Sequence, residues 1–163
     1  MKTILLPILA ACLVSGAQAA SLIFTATLNG AQEVPSVATT GFGTATLTID
    51  DVTGVWTLSG SFSSLLGNAT ASHIHGPALV GVNAGVVKGL TITASTSGTI
   101  SGSSAATGVY SAGQIADLKN GLHYVNVHSS SFGGGEIRGQ LVPEPGAALL
   151  GLLAIPLVAR RRR

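Results

Sequence analysis

Apolar residues recur at every second position along much of the chain, the spacing of strands that bury one face and wet the other. Leu22, Phe24, Ala26 and Leu28 fall on one side of a first strand, and Thr25, Thr27 and Asn29 on the other. Ala45, Leu47 and Ile49 alternate with Thr44, Thr46 and Thr48 in a second. Residues 50–54 read as a turn, and Trp56, Leu58 and Phe62 continue the apolar face, so these two strands form a hairpin. Residues 71–75 and 86–92 predict two more strands across a Gly-Pro and glycine-rich loop, while 93–104 fits no single pattern. One helical signal interrupts the strands. Ser111 and Gln114 have capping-box spacing and Asn120-Gly121 supplies a stop, which predicts a helix over residues 112–119. Residues 124–128 and 136–141 then form a closing hairpin around the Ser- and Gly-rich loop 129–135. The expected fold class is all-β, an antiparallel β-sandwich or barrel with one short helix.

The two ends break this pattern. Lys2, the apolar run 4–14 and Ala17-Gln18-Ala19 have the order of a secretory signal peptide, with cleavage after Ala19 or Ala20. At the other end Pro143-Glu144-Pro145 precedes an apolar run at 147–159 and the arginines Arg160, Arg161, Arg162 and Arg163. That run is shorter than the ~20 residues that span a bilayer, so it is expected to stall in the membrane with its arginines cytoplasmic. The tail resembles the PEP-CTERM sorting signal of Gram-negative bacteria. The resemblance implies recognition of Pro143, Glu144 and Pro145 by an exosortase, after transient inner-membrane anchoring, with signal peptidase acting at the other end. The expected domains are residues 1–20, signal peptide; 21–142, folded body; 143–163, sorting tail. The expected location is the cell surface or medium.

Charge changes the picture once the ends are set apart. The whole chain carries +2, but residues 21–142 hold three basic residues (Lys88, Lys119, Arg138) against five acidic ones (Glu33, Asp50, Asp51, Asp117, Glu136), a net −2. Nucleic-acid binding needs clustered Lys and Arg, and this body has none. The one cysteine, Cys12, lies in the signal, which excludes a disulfide framework and a thiol nucleophile from the mature body.

Candidate chemistry gathers in two places. His73 and His75 sit two apart, so a strand presents both imidazoles on one face. In the closing hairpin Tyr124, Asn126 and His128 share a face, as do Glu136, Arg138 and Gln140; a loop centred on Phe132 sets His128 opposite Glu136 and Asn126 opposite Arg138. Two readings follow. His73, His75 and His128 could hold zinc or copper with Glu136 orienting an imidazole, or they could join Tyr124, Asn126, Glu136 and Arg138 in a structural polar network. Spacing alone favours the network over the metal.

The blocks His73-Ile74-His75-Gly76-Pro77-Ala78, Tyr124-Val125-Asn126-Val127-His128 and Gly134-Gly135-Glu136-Ile137-Arg138-Gly139-Gln140-Leu141 resemble the signature blocks of the CHRD domain. Leu28-Asn29-Gly30-Ala31-Gln32-Glu33-Val34-Pro35 is similar to that family's opening block. The resemblance implies a β-sandwich of superoxide-dismutase-like or immunoglobulin-like type without an established catalytic role. Four histidines fall short of the six that a binuclear dismutase site uses, and His123 falls on the strand face away from His128, where it reads as incidental. The expected function is a non-enzymatic envelope or matrix module, with a three-histidine metal protein as the alternative. Adhesion to extracellular polysaccharide would rest on Trp56, Tyr110 and Tyr124 and ranks below both.

Overall fold

The computed structural model describes residues 20–144, so the signal peptide and the sorting tail beyond Glu144 lie outside the described residues. Among the described residues nine strands form: β1 (Ser21–Asn29), β2 (Phe42–Asp50), β3 (Trp56–Ser63), β4 (Ala69–His75), β5 (Val86–Ile92), β6 (Gly98–Ser103), β7 (Tyr124–Ser129), β8 (Ile137–Gln140) and β9 (Val142–Pro143). All pairings are antiparallel, in the order β2-β3-β6-β5-β4-β7-β8-β1-β9, and β1 also pairs with β2. Strands β1 to β8 therefore close into a ring. Its thin seams are β5–β6, with two residue pairs, and β8–β1, with the single pair Asn29↔Arg138.

The all-β expectation holds, and the closed ring is barrel-like rather than clearly a sandwich. The strand ambiguous in sequence is β6, whose only fully buried side chain is Ile100 among Gly, Ser and Thr. A second helix also appears. It is the single turn α1 (Ser104–Thr107), which carries no buried residue and hence no apolar signature.

The alternation read from sequence fills the ring. Phe24, Ala26 and Leu28 of β1, Ala45, Leu47 and Ile49 of β2, and Trp56, Leu58 and Phe62 of β3 are buried in one core with Ile74, Ile100, Val125, Val127 and Ile137. Asp50 closes the β2–β3 turn by accepting the Thr53 and Val52 N–H groups, which hold its carboxyl below the usual range. Gly54 supplies the positive φ of 70° that ends this turn. The helix α2 (Ala112–Lys119) has the expected capping box: Ser111 accepts from the Gln114 N–H and Gln114 accepts from the Ser111 N–H. It lays Ile115 and Leu118 into the core.

Lys88 of β5 is buried, and its ammonium donates to the carbonyls of Thr107, Gly108 and Val109. Those bonds, with Trp56 Nε1 donating to Gly108, tie the end of α1 to the barrel. At the end of the described residues Val142 and Pro143 pair with Thr25 and Phe24, and Glu144 N–H donates to Ile23 O. The ordered strand pairing thus runs one residue into the region assigned to the tail.

Candidate functional site

The site lies on the outer face of β4, β7 and β8. Ile74 points inward and is fully buried, so His73 and His75 on either side of it point outward. The β4–β7 register sets His73 opposite Asn126, His75 opposite Tyr124 and Ala71 opposite His128. His128 is therefore a diagonal neighbour of His73, within reach of a long side chain. The β7–β8 register puts Asn126 opposite Arg138, as the sequence predicts.

One ring nitrogen from each of His73, His75 and His128 lies within 4.8 Å of the others. Backbone carbonyls fix two of the three tautomers. A carbonyl only accepts, so His75 Nδ1 carries the proton it donates to Ala84 O at 2.9 Å, and His128 Nδ1 carries the one it donates to Gly133 O at 3.0 Å. Both Nε2 atoms are then bare lone pairs. His128 Nε2 accepts from His73 Nδ1 at 3.1 Å, while His75 Nε2 is buried with no partner. Burial, above all, lowers the pKa of His73 and of His75; for His73 the neighbouring imidazoles add to it. Both rings are neutral at pH 7.

The flanking residues brace this cluster. Tyr124 stacks on His75 with ring centroids 5.0 Å apart and planes 5° from parallel, and its hydroxyl accepts from the Ala84 N–H. The Arg138 guanidinium lies 3.3 Å from the Tyr124 ring centre and donates to Val82 O and Asn83 Oδ1. The loop between β4 and β5 is thus pinned over the site by the residues beneath it. Arg138 lies over Tyr124, and Asn126 faces Arg138 across the β7–β8 pair.

Glu136 does not join them. It is fully buried at β8's start, where it accepts from Ser129 Oγ at 2.5 Å, Thr39 Oγ1 at 2.6 Å and the Leu66 N–H at 2.7 Å. It touches no imidazole. The strand β8 begins only at Ile137, so the alternation that would have turned Glu136 outward beside His128 does not extend to it.

The carboxyl that does meet the network is Glu33, from the loop after β1, accepting from Asn126 Nδ2 at 2.7 Å. Desolvation raises its pKa to about 7, against the opposing pull of the Arg138 charge. Sequence reading gave it no role, because the contact spans 93 residues; a lone acid in a neutral, Pro-flanked block was the available signal.

His123 is fully buried with both ring nitrogens unpartnered, away from the cluster. It fills space against Gly76, where a Cβ would lie 2.1 Å from its ring. Trp56, Tyr110 and Tyr124 are all buried, so none of them forms an exposed stacking platform for a sugar. No helix among the described residues is long and apolar enough to cross a membrane.

The CHRD domain family matches residues 24–141. Neither the curated proteins nor the solved structures include a match to the chain.

Proposed function

The chain belongs to the CHRD domain family, and from that premise we propose that it is an extracellular, non-enzymatic module that holds one zinc or copper ion on His73, His75 and His128. A single observation carries the metal reading: His75 Nε2 is buried and unpartnered, its lone pair aimed by the Ala84 carbonyl on the far side of the ring. A buried acceptor without a donor costs about 1–3 kcal/mol, and a cation among three neutral imidazoles removes that cost. Outer carbonyls on the second ring nitrogen are the usual means of orienting a histidine ligand, and His75 and His128 both have them. His73 would take its other tautomer, with the proton on Nε2 and the Nδ1 lone pair free, to join the set. The polar network preferred on spacing alone then has a purpose, since Tyr124 and Arg138 hold His75 and its loop in place.

Zinc or copper at a hundredfold excess over its dissociation constant is expected to add about 2.7 kcal/mol to stability, seen as a rise in melting temperature that a chelator reverses. Because His73 and His75 titrate below the ordinary imidazole range, protons compete with the metal late. The shift should fade as pH falls through and below the ordinary imidazole range. A melting temperature indifferent to both metals would sink the reading.

The terminal motifs support export: signal peptidase at residues 1–20, exosortase at Pro143-Glu144-Pro145, and release to the surface or medium of a Gram-negative cell. The intact mass of protein recovered from its native host should lack both ends. A secreted product retaining Arg160 to Arg163 would contradict the sorting step.

A further inference from the structure

Beside the histidine site, and separate from it, a cavity of about 200 Å³ opens between the loop after β1 and the loop before β8. Glu33, Pro35, Val37, Phe132 and Gly135 are among the residues lining it. Roughly six water volumes would fit. Its only ionisable group is Glu33, a carboxyl 7% exposed. Gly135, at φ 133°, lets the Glu33–Asn126 pair approach: a Cβ there would lie 2.3 Å from Asn126 Nδ2 and 2.7 Å from Glu33 Oε1.

The pair is short of donors. Glu33 Oε1 takes one N–H from Asn126, the Val34 backbone N–H also favours the charged carboxyl, no side chain among the described residues donates to its other oxygen, and Asn126 Oδ1 is buried without a partner. A buried carboxyl in apolar walls calls for a ligand that brings N–H donors, a positive charge and a short hydrocarbon stem. We propose that this cavity binds a primary alkylammonium group, its N–H donors on Glu33 and its methylenes against Pro35, Val37 and Phe132. A hard metal cation fits poorly, since one carboxylate with valine, proline and phenylalanine offers too few oxygens. The burial that makes the empty carboxyl reluctant to ionise is relieved when a cation arrives, so binding is coupled to loss of the Glu33 proton.

The charge acting on Glu33 is that of Arg138 from β8, with the neutral Asn126 facing it from β7. Affinity should therefore strengthen as pH rises through about 7, where Glu33 ionises, while an alkylamine stays cationic to about 10.

The test is an NMR titration of the metal-stripped full chain with n-butylammonium, with Nα-acetyl-lysine amide and with n-butanol, following the amides of Glu33, Gly134 and Gly135. Saturable shifts with the free amine alone identify a small amine as the ligand. Shifts with the lysine derivative identify a protein side chain. Either result supports the site, provided n-butanol gives none. Glu33→Gln should weaken binding about tenfold or more, and Val37→Trp, which leaves the carboxyl in place, should block it by filling the cavity. No saturable shift with either amine, equal binding of n-butanol, or affinity unchanged in both variants would overturn the proposal.

Discussion

Glu136→Ala should cost about 3–5 kcal/mol of folding stability, a large part of the ~5–15 kcal/mol that holds a domain of this size together. The side chain is fully buried and accepts three hydrogen bonds, from Ser129 on β7, from Thr39 in the loop before β2 and from the Leu66 backbone after β3. These partners come from three separate parts of the chain, so one carboxyl ties the end of β7 to two loops. Truncation strands all three donors, and the Leu66 N–H has no rotation by which to find another acceptor. Glu136→Gln should lose less, because its amide keeps an acceptor but turns an NH₂ toward the same donors. Urea unfolding of the two variants checks this. A loss under 1 kcal/mol for Glu136→Ala would mean that the carboxyl is no anchor.

What the sequence disclosed follows a physical division. Alternation identifies which face of a strand is buried, so Phe24 through Leu28, Ala45 through Ile49 and the inward Val125 and Val127 are legible without a structure. A capping box is local chemistry, and Ser111 with Gln114 marks α2 to the residue. Ring closure is another matter. It depends on Asn29 meeting Arg138, and neither residue carries a mark of the other. Glu33 and the carbonyls of Ala84 and Gly133 stayed hidden for the same reason, since a backbone oxygen that fixes an imidazole tautomer has no sequence signature. Spacing places His73 and His75 on one face, but only the β4–β7 register brings His128 alongside and leaves His75 Nε2 without a donor.

The other large effect expected is the loss of metal binding when any one of the three histidines is removed. Two imidazoles from a single strand and one from its neighbour make a minimal donor set, and taking one away leaves too few ligands to pay for desolvating a zinc or copper ion. His73→Ala, His75→Ala and His128→Ala should therefore each abolish saturable binding, while His123→Leu, which lies outside the cluster, should leave it unchanged. If the histidines served structure alone, the three alanine variants would each cost about 1–3 kcal/mol, equally with or without metal. Calorimetric titration of the metal-stripped protein with zinc and with copper at about pH 7.5, roughly one unit above the ordinary imidazole pKa, tests the central claim most directly. The account predicts saturable heat at one equivalent for at least one of the two metals, and its disappearance in each of the three alanine variants; the absence of saturable heat with both metals would contradict it.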